Sequence, residues 1–109
     1  MSVMMVRQKV KEGSVEAAEA AVRELFATLA RVRPAGIRYA STRVVDSSTF
    51  VIVTELADSS EDPRRAIPEF GQFLEQLQGW VDGAPVIEQL TVVGSYQLFG
   101  LAGEEAALG

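Results

Sequence analysis

The segments of this chain that read as strands are apolar on both faces, and this limits the fold more than any other feature. In 2–10, Val3 and Met5 alternate with Met4, Val6 and Val10, so a strand here presents apolar groups to either side of a sheet. The runs 37–45 and 50–57 are joined by the polar residues Asp46-Ser47-Ser48-Thr49, the spacing of a hairpin. With Val45 opposite Phe50, one face carries Ile37, Tyr39, Ser41, Arg43, Phe50, Ile52 and Thr54. The other carries Arg38, Ala40, Thr42, Val51, Val53 and Glu55, and it too is largely apolar. Strands of this kind need cover on both sides.

The helices can supply only half of that cover. Val15, Ala18, Val22, Leu25, Phe26, Leu29 and Val32 recur at steps of three and four after Ser14, which predicts an amphipathic helix with Ser14 as its N-cap. Pro34 and Gly36 close it. Asp58 to Arg65 reads as a polar loop, and Pro63–Ile67 as a separate turn, because Pro68 suits the first position of a second helix. Phe70, Phe73, Leu74 and Leu77 form its apolar stripe, Gly79 ends it, and Trp80 follows. The last strand is expected to run from Pro85 to Phe99, long against the usual strand of about five or six residues, with Gly94 marking a bend. The tail 100–109 carries too little to bury alone and is expected to be mobile.

Strand, helix, strand, strand, helix, strand is the ferredoxin-like βαββαβ order: an α+β domain over 1–99 with an antiparallel sheet and both helices on one face. The second apolar face then requires a partner. A second copy packing sheet to sheet, with the long last strand reaching across, predicts a homodimer.

Composition removes many chemistries. The 109 residues include no Cys, no His and no Asn. Disulfides, thiolate nucleophiles, Cys-based metal sites, imidazole bases and Ser-His-Asp catalysis are therefore excluded. No carboxylate cluster suggests a metal, and no metal or cofactor is expected. Residues 1–54 hold 8 basic and 5 acidic side chains, whereas 55–109 hold 2 basic and 10 acidic ones. The acidic balance without a basic run predicts no nucleic-acid partner. No apolar run approaches the roughly 18 residues of a membrane span, and the short apolar start is no signal segment. A cytoplasmic protein is expected.

The βαββαβ order, Lys11-Glu12-Gly13 before the first helix, Gly36 opening the second strand, the Phe50–Leu56 strand and the long terminal strand together resemble the dimeric α+β barrel proteins. The antibiotic-biosynthesis-monooxygenase-like family is the group most similar to residues 2–99. The resemblance implies a dimeric barrel and a cleft for a small aromatic or polyketide-like molecule. It also implies a cofactor-independent monooxygenase or, as the alternative, a non-catalytic ligand-binding or protein-interaction module of the same fold. Haem-degrading relatives use His, with Asn and Trp nearby, and this chain lacks the first two.

A cofactor-free oxygenase needs an aromatic cleft, a group that takes a proton and a polar contact for the resulting anion. No catalytic residue is identifiable. Tyr39, Ser41 and Arg43 on the hairpin, facing Phe70, Phe73 and Trp80, form the expected substrate-binding set. The same Phe side chains also read as ordinary core, Trp80 as packing and Arg43 as one half of an ion pair. Arg38 with Glu55 is expected to pair across strands, and Arg7 with Glu88 across the sheet or the dimer interface. Glu55 and Glu88 are the acidic groups within strands and the candidate bases; Tyr96 is a further candidate or a dimer contact. A register slip of one residue would put Arg38, Thr42 and Glu55 into the cleft in place of Tyr39, Ser41 and Arg43.

Overall fold

A computed structural model describes residues 1–98; Phe99 and the tail 100–109 lie outside them. The elements follow the expected order: β1 (Ser2–Lys9), α1 (Val15–Val32), β2 (Ile37–Arg43), β3 (Thr49–Leu56), α2 (Pro68–Gln78) and β4 (Val86–Leu90). Short 3-10 turns, Glu12–Ser14 and Pro63–Ala66, precede the two helices. The sheet order is β2-β3-β1-β4, with every neighbouring pair antiparallel. This is the ferredoxin-like arrangement.

Both helices lie on one face, and the register shows which residues meet them. Phe50 faces Arg43 on one side and Gln8 on the other, and Ile52 faces Ser41 and Val6. Arg43, not Val45, therefore sits opposite Phe50. The shift is two residues, so each strand keeps the predicted faces. Val44 and Val45 pass instead into the turn, where Asp46 takes the left-handed conformation at φ 59° and the Ser47 N–H donates to the Val44 carbonyl at 3.1 Å. The core under α1 is built by Val10, Ala18 and Phe50, with Val22, Ile52 and Leu77 packed against it.

Local signals set the helix ends. Ser14 holds the position before α1, although its side chain makes no capping hydrogen bond. Arg33 closes α1 in the left-handed conformation, its N–H donating to the Leu29 carbonyl at 2.8 Å. Pro68 opens α2, where its missing N–H costs nothing. After α2, the Lys11 N–H donates to the Trp80 carbonyl and the Asp82 N–H to the Lys9 carbonyl, each at 2.8 Å. These bonds tie the exit of α2 to the end of β1.

One element departs from expectation. β4 stops at Leu90 rather than running to Phe99, and residues 91–98 form no strand. The reason lies in its neighbour. Val3 pairs with Leu90 and β1 begins at Ser2, so an antiparallel ladder has almost no partner left beyond that point. The expected Arg38–Glu55 ion pair, and an Arg7–Glu88 pair within the sheet, are also absent among the described residues. Arg38 and Glu55 are register partners and Arg7 lies diagonal to Glu88, but the ion pairs formed are Glu19–Arg23, Glu19–Arg43 and Asp62–Arg64. Exposed pairs of long side chains gain little from holding one geometry.

Candidate functional site

The helices do not cover the sheet equally. α1 buries Ala18, Leu25 and Thr28, whereas α2 buries no residue completely. Phe70, Phe73 and Leu77 of α2 are half-buried, and a cavity of about 220 Å³ lies between them, α1 and the sheet. Its apolar walls come from Met4, Val6, Phe50 and Ile52 of the sheet, Val22 and Phe26 of α1, and the α2 ring side chains.

Polar groups enter this lining mainly from one side. Tyr39 and Thr54 are register partners on β2 and β3, and Thr54 is only 2 % exposed. Above Tyr39 lies Arg64, delivered by the 3-10 turn before α2. Its guanidinium carbon sits 4.7 Å from the Tyr39 ring centre and 4.8 Å from that of Phe70, within cation–π range of both. Phe26 stacks on Tyr39 with the ring centres 4.9 Å apart. The result is a layered group of Phe26, Tyr39, Arg64 and Phe70 along one wall.

Arg64 is 8 % exposed, and a cation so buried requires a counter-charge. Asp62 supplies it in a two-point pair: Arg64 Nε donates to one carboxylate oxygen at 2.9 Å and Nη2 to the other at 2.7 Å. The same carboxylate accepts the Arg64 backbone N–H at 3.0 Å and so caps the turn. Hydrogen bonding from Arg64 holds the Asp62 carboxyl below the usual aspartate range, against an opposing effect of burial. Burial works against the Arg64 charge, but its hydrogen bond to Asp62 and the neighbouring charges outweigh it. Burial pushes the Tyr39 phenol up, with the Arg64 charge opposing, so at neutral pH Tyr39 carries its proton and can donate it.

Of the six expected binding residues, the structure brings Tyr39, Ser41, Phe70 and Phe73 into the cavity lining. Arg43 and Trp80 are not part of it. Arg43 Nε donates to Glu19 of α1, and Nη1 donates to the Ser47 carbonyl at 2.8 Å. The hydrogen bond from Arg43 lowers the Glu19 carboxyl. Trp80 packs, half-buried, against the core cluster of Val10, Ala18 and Phe50. Glu55 and Glu88 share the sheet face away from the helices, with Arg38 and Arg7, and Tyr96 is 87 % exposed beyond β4. None of these lines the cavity. Arg64 was hidden inside what reads as a polar loop, yet a signal was present: Arg64 and Arg65 are the only basic residues after position 54. Asp62-Pro63-Arg64 also places an acid and a base around a turn-forming Pro just before the apolar helix.

No family model matches the chain, and no curated protein matches it. Solved structures do. A Nitrosomonas europaea protein assigned as an antibiotic biosynthesis monooxygenase superposes with a TM-score of 0.72 at 17 % identity, covering 86 % of this chain and 100 % of its own. A Caulobacter crescentus protein with the same assignment gives 0.70 at 19 % identity, covering 85 % and 90 %. A third so assigned, from Bacteroides thetaiotaomicron, gives 0.66 at 15 %, covering 85 % and 88 %. With its sheet order, its two helices on one face and these superpositions, the chain has the ferredoxin-like fold of the antibiotic biosynthesis monooxygenase-like proteins.

Proposed function

We propose that this chain is a member of the antibiotic-biosynthesis-monooxygenase-like family that binds a small aromatic molecule between its sheet and α2, as a homodimer. The observation that carries the binding reading is the cavity itself: about 220 Å³ of mainly apolar space, walled by aromatic rings and met by Tyr39 and Arg64. Apolar walls with a few placed polar groups are the usual make-up of a ligand site.

The dimer reading is supported by the side of the sheet that no described helix covers. Val86 and Leu90 of β4 are 54 % and 40 % exposed, on the same face as Met5, Val51 and Val53. Val92 and Val93 follow, also exposed. A contiguous apolar surface of this kind favours a protein partner, and a second copy offers the matching face.

The names of the structural neighbours support a monooxygenase role for the ligand site, and the family resemblance implies one that works without a cofactor. A specific observation favours the non-catalytic alternative: the described lining contains no carboxylate, and Tyr39 holds its proton, so no group in it is an evident general base at neutral pH. Oxygen consumption with hydroxylated naphthalenes and anthracenes, measured with chelator and without flavin, separates the two. Uptake that persists under both conditions supports the oxygenase, whereas tight binding without uptake supports the binding module. No binding of any aromatic compound would overturn both. Native mass spectrometry tests the dimer, and a clean monomer would remove that part of the reading.

A further inference from the structure

Two properties of the cavity narrow what can occupy it. The first is size. An apolar cavity of about 150 Å³ accommodates benzene, and drug-sized ligands occupy about 300–1,000 Å³. At about 220 Å³, this cavity lies nearer the first of these, a size suited to one or two rings.

The second is the state of Arg64. A guanidinium has five N–H donors in a fixed fork, and Asp62 takes one from Nε and one from Nη2. Three donors remain outside that pair. Arg64 belongs to the cavity lining and Asp62 does not; Asp62 lies instead in a shallow depression on the outer side of the same turn. The ion pair thus spans the wall, acid outside and cation inside. Next to the cation, the protonated Tyr39 hydroxyl and the buried Thr54 hydroxyl are further polar groups of the lining. A neutral apolar molecule would offer these donors no acceptor beyond the ones they find in each other, which disfavours it against an anion.

We propose that the cavity selects a one- or two-ring aromatic anion, bound with its anionic oxygen on Arg64 and Tyr39, and that Asp62 tempers the attraction from outside the wall. This deepens the ligand-binding reading above and depends on it. The oxygen can belong to a carboxylate or to an ionised phenol, since both offer the same charge-assisted acceptor. Asp62 both fixes the fork and partly neutralises it, so removing its charge strengthens the hold on a bound anion.

The test is titration calorimetry of the full chain at neutral pH with 2-naphthoate, its neutral amide 2-naphthamide, 2-naphthol and 2-anthracenecarboxylate. Naphthoate is expected to bind at least about tenfold more tightly than the amide, the range of a charge-assisted hydrogen bond, and the three-ring acid more weakly than naphthoate. A phenol bound in its ionised form releases a proton, so its heat changes with the buffer's ionisation heat, and this separates the phenol source from the carboxylate source. Arg64→Met abolishes the preference for naphthoate over the amide, whereas Arg43→Met, outside the lining, preserves it. Asp62→Asn keeps Arg64 and raises naphthoate affinity severalfold, and this holds as a test even if Arg64→Met fails to fold. Equal binding of acid and amide, a preference that survives Arg64→Met, or weaker naphthoate binding in Asp62→Asn would overturn the proposal while leaving the cavity a ligand site. If no ring compound binds, the ligand-binding reading itself fails, and the anion preference falls with it.

Discussion

The two faces of the sheet are made from the same kinds of residue and meet different fates. On the helix side, Phe50 is 6 % exposed and Thr54 2 %, enclosed by α1, α2 and the turn that carries Arg64. On the far side Val51 and Val53 are only half-buried, and Val86 and Leu90 are exposed. Alternation along a strand says which residues share a face, but not whether the same chain will cover it. Among the described residues, the helices and the turn enclose the centre of one face, which holds the polar groups of the candidate site; no described helix covers the other.

The comparison can be broken from either side, and the largest effect is expected in the core. Phe50→Ala removes a ring packed with Val10 and Ala18 and should cost about 3–5 kcal/mol by denaturant titration; a loss under 1 kcal/mol would show that the helix side is loosely held. On the far face, Val53→Asp should weaken self-association at least about tenfold in sedimentation equilibrium, with little change in the helical signal. An unchanged association constant would move the interface elsewhere.

A smaller effect is expected at the cavity wall. The Asp62 carboxyl lies below its ordinary value of 3.8 in the folded chain, so the unfolded chain binds more protons once the pH nears that value. The stability it contributes is complete above about pH 4 and is lost as the pH falls through the lower folded value. Asp62→Asn should therefore cost about 1 kcal/mol at neutral pH and flatten this part of the acid-unfolding profile. An unchanged profile would mean that the pair with Arg64 does not persist in solution. The smallest change is expected from Glu19→Gln at the half-buried link to Arg43; its loss should be less than that of Asp62→Asn and should shrink in added salt, because a pair still open to solvent is screened.

Much of the fold is legible in local chemistry. The three- and four-residue spacing from Val15 to Val32, Pro68 at a helix start and the polar break between two β-branched runs act over a few residues, and each produced its element. The length of β4 was not legible, because it depends on where the ladder with β1 runs out, at Val3, nearly ninety positions earlier in the chain. The candidate site divides in the same way. Tyr39, Ser41, Phe70 and Phe73 follow from strand alternation and a helix stripe once the helices choose a face. Arg43 and Trp80 looked equally suited, but one found Glu19 across the helix boundary and the other a place against Val10 and Phe50.

The sequence by itself determined the order of elements, the sorting of residues onto two faces of each strand, and the absence of thiol and imidazole chemistry. Those depend on side-chain identity and on periods of 2 and 3.6 residues. Only the tertiary structure decided which face the helices cover, how far α2 stands from the sheet, and that a basic residue in an apparent surface loop turns inward between two aromatic rings. These are matters of distance between segments far apart in the chain. The charge on Arg64 could enter the wall only because Asp62, Tyr39 and Phe70 meet it there.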